Sequence, residues 1–76
     1  MPKFVLVTQP GCRWCERAVE ALDSRGLPYS LVNLATHAEV KTFFKDAGFK
    51  TVPQVFYDGR HIGGCTDLLA FLNKET

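Results

Sequence analysis

The sequence VTQPGCRWCERAVEAL, residues 7–22, holds the features that decide the fold. Its first two residues end the run KFVLVT (3–8), which is short, apolar and β-branched, as is typical of a strand buried on both faces. Apolar residues then recur with helical spacing until Gly26 and Pro28 signal the end of a helix. Residues 29–34 (YSLVNL) follow as a second strand. The segment therefore predicts a parallel βαβ unit with a right-handed crossover.

A second helix is predicted after this unit. Thr36 and Glu39 have the spacing of a capping box, and an apolar face follows them as far as Gly48. Thr36 is therefore expected to cap the helix. Five phenylalanines along the chain are predicted to belong to the core: Phe4, Phe43, Phe44, Phe56 and Phe71.

The chain is predicted to finish with a hairpin and a third helix. Residues 53–57 and 60–62 flank the dipeptide DG at 58–59, which favours a two-residue type I′ turn between antiparallel strands. Thr66 is the expected N-cap of a last helix that runs to Lys74. The predicted order of elements is βαβαββα.

Length and composition narrow the class of protein. The 76 residues are expected to form one domain, residues 1–76. The nine basic and eight acidic residues are mixed along the chain, so no nucleic-acid partner is predicted. The apolar run near the N-terminus is too short for a signal peptide or a membrane span. Three cysteines are too few for a disulfide scaffold, and we expect a soluble cytoplasmic protein in a reducing compartment, without a membrane partner.

The pair Cys12 and Cys15 has three chemical interpretations. A structural zinc site needs four ligands, whereas His37 and His61 are far apart in the sequence and are predicted to be solvated. A structural disulfide between cysteines three residues apart would close a small loop and stabilise the fold little. The third interpretation, a redox-active pair, is favoured.

Position along the chain supports the redox interpretation. The pair straddles the join between a predicted strand and a helix N-terminus, where unpaired N–H groups and the helix dipole stabilise a thiolate. Cys12 is therefore predicted to be the low-pKa nucleophile and Cys15, one turn further in, the resolving thiol. A C-x-x-C motif beside a βαβ unit is typical of thioredoxin-like redox sites. Cys65 is predicted to be a small, semi-buried apolar residue.

Four stretches of the chain together resemble the glutaredoxin family: QPGCRWC (9–15), TVPQVF (51–56), DGRHIGG (58–64) and CTDLLAFL (65–72). The resemblance implies an α/β protein with a minimal thioredoxin fold, a four-stranded mixed sheet flanked by three helices. It also implies a monomeric thiol-disulfide oxidoreductase with glutathione as co-substrate and with no bound cofactor or metal. The expected partners are glutathione, proteins with disulfides and glutathionylated proteins, with ribonucleotide reductase as one protein that receives electrons.

The resemblance further implies a glutathione site. Pro53 would follow a cis bond, and Val52 would pair in strand fashion with the cysteinyl backbone of a bound thiol. The backbone N–H groups of Thr66 and Asp67 would hold the γ-glutamyl carboxylate, and the Asp67 carboxylate would face the ammonium, although both residues also suit a helix cap. The implied glutathione residues are Gln9, Trp14, Thr51, Val52, Pro53, Gly64, Thr66 and Asp67.

Three positions depart from the family's usual pattern. Gln9 stands where glutaredoxins usually carry lysine, and Val40 stands where many have a polar or basic contact. The glycine carboxylate of glutathione is therefore left with three candidate partners, Lys41, Lys50 and Gln9. Trp14 replaces the more usual tyrosine and is either a flat wall beside the thiol or a partial core residue.

Two other functions stay open. A related redoxin that serves ribonucleotide reductase and is recharged by thioredoxin reductase has a similar size and fold, but its WSGFRP-like segment is replaced here by IGGCTDLL (62–69). The second is a dimer that binds an iron–sulfur cluster through Cys12 and two glutathiones. That behaviour is more usual when a small residue follows the nucleophile, and this chain has Arg13.

Overall fold

The computed structural model describes residues 3–75, and its elements follow the predicted order. They are β1 (Phe4–Thr8), α1 (Arg13–Ser24), β2 (Tyr29–Asn33), α2 (Ala38–Asp46), β3 (Gln54–Tyr57), β4 (Arg60–Gly63) and α3 (Cys65–Glu75). The sheet has the order β2-β1-β3-β4, with β1 and β2 parallel and the other two pairings antiparallel. The four-stranded mixed sheet with three helices is thus confirmed. None of the described helices is long and apolar enough to cross a membrane.

The central strand β1 is buried on both faces, as its apolar run predicts. Leu6 belongs to the larger core under α1 and α3, and its neighbour Val7 belongs to a smaller core under α2. The larger core also holds the fully buried Leu22, Val55 and Leu68. The smaller one also holds Leu34 and Phe44. A strand that supplies both cores fixes the position of the loop that follows it.

The core prediction is wrong for Phe43, whose side chain is 69% exposed. Its neighbour Phe44 is the only residue of α2 that is buried. Consecutive helix residues point about 100° apart, so a short helix that touches the sheet along one line buries only one of the two rings. Phe4 is buried in the larger core, while Phe71 and Phe56 pack against the larger and the smaller core respectively.

The prediction that Thr36 caps α2 is also wrong. The helix begins at Ala38 with His37 in the N-cap position, and no side chain caps it. The Thr36 hydroxyl instead donates to the carbonyl oxygen of Asn33, at 3.2 Å. The side-chain oxygen of Asn33 accepts the N–H of Ala35, at 2.8 Å. Asn33 organises the turn after β2, and that turn uses the Thr36 hydroxyl before the helix starts.

The start of α3 differs from the prediction as well, because the helix begins at Cys65 and Thr66 lies inside its first turn. The Asp67 carboxylate accepts the N–H of Gly64, the residue before the helix, at 3.1 Å. This contact is one half of a capping box. At Gly63 the φ angle is 130°, and a Cβ there would collide with the Asp67 carboxylate. Glycine at this position therefore leaves room for the cap.

The hairpin between β3 and β4 has the type I′ turn that the sequence predicted. Asp58 and Gly59 have φ angles of 50° and 81°, the two positive values that a type I′ turn requires. The N–H of Asp58 also donates to the carbonyl of Lys3, at 2.8 Å. This bond ties the hairpin to the start of the central strand.

Candidate active site

Cys12 and Cys15 form a disulfide at the start of α1, with their Cα atoms 5.2 Å apart. Cys12 has extended backbone angles and occupies the N-cap position, after a turn at Gly11 with a φ angle of 76°. Cys12 is half-buried, whereas Cys15 lies one turn further along and is buried. The more accessible sulfur is therefore that of Cys12.

Two backbone groups contact the sulfur of Cys12. The N–H of Cys15 donates to its Sγ, at 3.1 Å, and the carbonyl oxygen of Val52 lies 3.6 Å from the same atom. An N–H donor together with the positive end of the helix dipole favours negative charge on the sulfur. In the reduced protein, we therefore expect the Cys15 N–H and the helix dipole to stabilise a Cys12 thiolate, while the Val52 carbonyl can only accept a hydrogen bond.

The loop before β3 brings Val52 to the cysteines. The Val52–Pro53 bond is cis, as the resemblance implied, and Pro53 is buried. Behind it, the side-chain amide of Gln54 donates to the carbonyl and the hydroxyl oxygens of Thr51, at 3.0 and 3.2 Å. Gln54 is buried, at 7% exposed, whereas Thr51 is exposed, so these bonds are partly shielded from water. The amide ties the two ends of the cis turn together.

His61 completes this contact, a role that sequence analysis missed. The residue as a whole is exposed, as predicted, but its Nε2 lies 2.6 Å from the side-chain oxygen of Gln54 and donates to it. The ring also packs against Phe49 and Phe56, with centroids 4.9 and 5.1 Å away. The sequence held one signal of this contact, the polar residue Gln54 within the apolar run PQVFY (53–57). Its partner, His61, becomes evident only when β3 and β4 are paired.

A groove of 190 Å³ lies beside Val52, and we call it the Trp14 groove. It is lined by Trp14, Thr51, Val52, Pro53, Gly64, Cys65, Thr66 and Asp67. The fold thus brings together all the residues assigned to glutathione from the sequence except Gln9. Their role in binding stays a prediction at this point.

Trp14 forms an open wall of this groove rather than a part of the core. Its side chain is 52% exposed. The guanidinium carbon of Arg17, one turn along α1, lies 4.9 Å from the centre of the ring, within the range of a cation–π contact. Arg17 therefore steadies the ring on the side of the helix.

Gln9 lies in an adjoining cavity of 230 Å³, which we call the lysine cavity. Its polar lining consists of Gln9, Lys41, Lys45, Lys50 and Thr51. Thr51 and Val52 line both this cavity and the Trp14 groove. All three candidate partners of the glycine carboxylate therefore face one space, together with Lys45, which sequence analysis did not consider.

Cys65 is the free cysteine, and it is buried at the inner side of the Trp14 groove. Burial raises the pKa of its thiol, an effect that the positive charge of Arg17 partly offsets. The prediction of a small apolar residue agrees with this burial. Among residues 3–75, no three His, Cys, Asp or Glu side chains lie together in a way that would hold a metal ion.

A third depression opens on the disulfide from a different side, and we call it the Leu31 groove. It has a volume of 430 Å³ and shares no lining residue with the Trp14 groove. Cys12, Cys15, Glu16, Val19, Glu20 and Leu31 are among its lining residues. Both cysteines of the pair therefore line the Leu31 groove, whereas the Trp14 groove comes near Cys12 through Val52.

Comparisons of the chain with a family model, with curated proteins and with solved structures agree on one family. The family model described as Glutaredoxin matches residues 4–62. Glutaredoxin 3 of Escherichia coli K12 is 37% identical over 71 residues, which cover 92% of this chain and 86% of that protein. Hybrid peroxiredoxin hyPrx5 of Haemophilus influenzae is 40% identical over 63 residues, 83% of this chain but only 26% of that longer protein. The crystal structure of a buckwheat glutaredoxin–glutathione complex superposes with a TM-score of 0.79 at 27% identity, covering 96% of this chain and 70% of that one.

The contact between Gln54 and His61 generates a first test. Gln54→Ala and His61→Ala should each lower the free energy of unfolding, and the double variant should lose about 1 kcal/mol less than the sum, because the two residues share one hydrogen bond. Urea unfolding of the reduced proteins measures this coupling. His37→Ala is the matched control, since its ring contacts Asn33 and Thr36 instead and should not couple to Gln54→Ala. Equal coupling for both histidines would contradict the assignment.

Proposed function

We propose that this chain, which belongs to the glutaredoxin family of thiol-disulfide oxidoreductases, takes its electrons from glutathione. The observation that carries the proposal is the Trp14 groove. It lies next to the Val52 carbonyl, whose oxygen is 3.6 Å from the Cys12 sulfur, so a thiol bound in the groove would reach the redox pair. The buckwheat relative, which has the same fold, is a glutathione complex.

The lining of the groove suits the charges of glutathione, which carries two carboxylates and one ammonium. The first-turn N–H groups of α3, at Thr66 and Asp67, are natural donors to the γ-glutamyl carboxylate. The Asp67 carboxylate is exposed and supplies the negative charge for the ammonium. Beyond Thr51, the lysine cavity offers cationic partners to the glycine carboxylate. Binding therefore needs groups from α3 at one end and from the region of α2 at the other.

The reaction follows from the different exposure of the two cysteines. The Cys12 thiolate attacks one sulfur of a substrate disulfide, forms a mixed disulfide and releases the other substrate sulfur as a thiolate, which takes up a proton. The Cys15 thiolate then attacks the Cys12 sulfur, forms the Cys12–Cys15 disulfide and releases the second substrate thiol. Two electrons have passed from the cysteine pair to the substrate.

Two molecules of glutathione return the pair to thiols. The first attacks the Cys12 sulfur, which leaves Cys12 glutathionylated and Cys15 as a thiol. The second attacks the glutathionyl sulfur, releasing glutathione disulfide and the Cys12 thiolate. Supply of electrons to ribonucleotide reductase, a cytoplasmic location and a monomeric state stay predictions.

The division of labour between the cysteines has a direct test. Cys12→Ser should abolish thiol exchange, because Cys15 is buried and does not reach an external disulfide. Cys15→Ser should retain turnover of a small glutathionyl mixed disulfide, since that reaction needs only Cys12, but should lose multiple-turnover reduction of a protein disulfide. The measurement is NADPH consumption in the presence of glutathione and glutathione reductase. Activity in Cys12→Ser would contradict the assignment.

Asp67 tests whether glutathione is the reductant. Asp67→Asn removes the charge but keeps an oxygen that can accept the Gly64 N–H, whereas Asp67→Ala removes both. Both variants should lose about tenfold in kcat/KM for glutathione if the ammonium is bound there, since a charge-assisted hydrogen bond at an exposed site contributes about 1.5 kcal/mol. Urea unfolding should show a loss of stability mainly in Asp67→Ala.

A control in the same assay replaces glutathione and its reductase with thioredoxin reductase. Turnover with glutathione in the wild type and little with thioredoxin reductase is expected. Unchanged glutathione dependence in both Asp67 variants, together with efficient recharging by thioredoxin reductase, would make Asp67 a helix cap only and would favour the thioredoxin-reductase-linked redoxin.

A further inference from the structure

The Leu31 groove reaches the reacting sulfurs without involving any residue proposed for glutathione except Gln9, which lies on its loop side. Both cysteines of the disulfide line it. At 430 Å³ it is more than twice the volume of the Trp14 groove, 190 Å³, and lies within the range of ligand-binding clefts. A chain attached to the Cys12 sulfur therefore has the Leu31 groove beside it, and Gln9 is the one lining residue of this groove that is also proposed for glutathione.

The helix wall of this groove is acidic. Glu16 and Glu20 are four residues apart on α1 and so lie on one face of the helix, with Val19 between them. Both glutamates are exposed, and within residues 3–75 neither carboxylate has an ion pair or a hydrogen bond to another side chain. Arg13 and Arg17 precede Glu16 and Glu20 by three residues on the same helix, but neither arginine lines the groove, so the groove itself presents the two carboxylates.

The opposite wall is apolar and belongs to an edge of the sheet. Leu31 on β2 is 51% exposed, although it lies in a strand. In the described sheet, β2 pairs with β1 alone, so its outer edge has backbone N–H and C=O groups available to an extended chain. This side of the groove therefore favours an extended polypeptide with an apolar side chain.

We propose that the Leu31 groove docks the polypeptide of a protein substrate that carries an apolar residue and basic residues beside the cysteine under attack. This inference rests on the proposed function, because it places the substrate of the same cysteine pair. The basic residues would face Glu16 and Glu20, and the apolar residue would contact Leu31. Glutathione, with net negative charge, is disfavoured by the same carboxylates. The Leu31 groove would thus bind a basic polypeptide, and the Trp14 groove would bind the negatively charged glutathione.

The test uses two synthetic peptides of equal length, each with one internal disulfide and a leucine beside the same cysteine. Two lysines follow that cysteine in one peptide and two glutamates in the other. Protein reduced with dithiothreitol and then desalted is mixed with each peptide, and the second-order rate of single-turnover exchange is followed by acid quench and mass spectrometry. This assay needs no glutathione, so the docking proposal is tested even if glutathione is not the reductant.

At low ionic strength the wild type should react about tenfold faster with the lysine peptide than with the glutamate peptide, and high salt should reduce this ratio. In the double variant Glu16→Gln, Glu20→Gln the ratio should fall to within about twofold of one. The ratio is the informative quantity, because a change in the reactivity of Cys12 itself affects both peptides equally and cancels.

The matched control is Glu39→Gln with Asp58→Asn, which changes the net charge by the same amount at positions outside the groove. It should keep the wild-type preference. Leu31→Ser should slow both peptides severalfold relative to a small glutathionyl disulfide. A wild-type ratio near one, or a preference that persists in the Glu16, Glu20 variant, would overturn the proposal. Failure of glutathione to turn over the small disulfide would instead overturn the proposed function.

Discussion

A helix needs acceptors for its first N–H groups, and in this chain a cysteine sulfur is one of them. N-cap positions are usually filled by serine, threonine, aspartate or asparagine, whose oxygens accept such a bond. Here the Sγ of Cys12 accepts the N–H of Cys15. The contact that starts α1 is therefore also the contact that favours a thiolate. A change to this hydrogen bond would therefore affect both the start of α1 and the reactivity of Cys12.

The remaining elements hold other groups in place around that sulfur. The central strand β1, buried on both faces, delivers the loop that carries the cysteine. The cis turn places the carbonyl oxygen of Val52 3.6 Å from the same sulfur, and the amide of the buried Gln54 stabilises that turn. At the far side of the Trp14 groove, Asp67 both caps the start of α3 and presents its carboxylate to the groove. One side chain thus contributes to stability and to the proposed binding of glutathione.

The sequence predicted features that one local pattern determines, and it failed where a second hydrogen-bond partner or the packing of the sheet decides the outcome. The apolar run of β1, the C-x-x-C motif and the Asp58-Gly59 turn each act through neighbouring residues, and each was found in the structure as expected. Thr36 had the spacing of a cap, but Asn33 recruits its hydroxyl, a competition that spacing alone does not show. Phe43 is exposed because α2 packs against the sheet through the neighbouring ring of Phe44. The contact between Gln54 and His61, and the grooves on either side of the disulfide, arise only once the strands are paired.

The most direct measurement is the order in which the three thiols of the reduced protein react with iodoacetamide near pH 6. The accessible sulfur with a backbone N–H aimed at it should be alkylated first, so mass-spectrometric mapping of a substoichiometric reaction should find the label on Cys12. Cys15 is buried, and burial raises the pKa of the Cys65 thiol, so both should react far more slowly. Label that appears first on Cys15 or Cys65 would contradict the central claim that the start of α1 makes Cys12 the nucleophile.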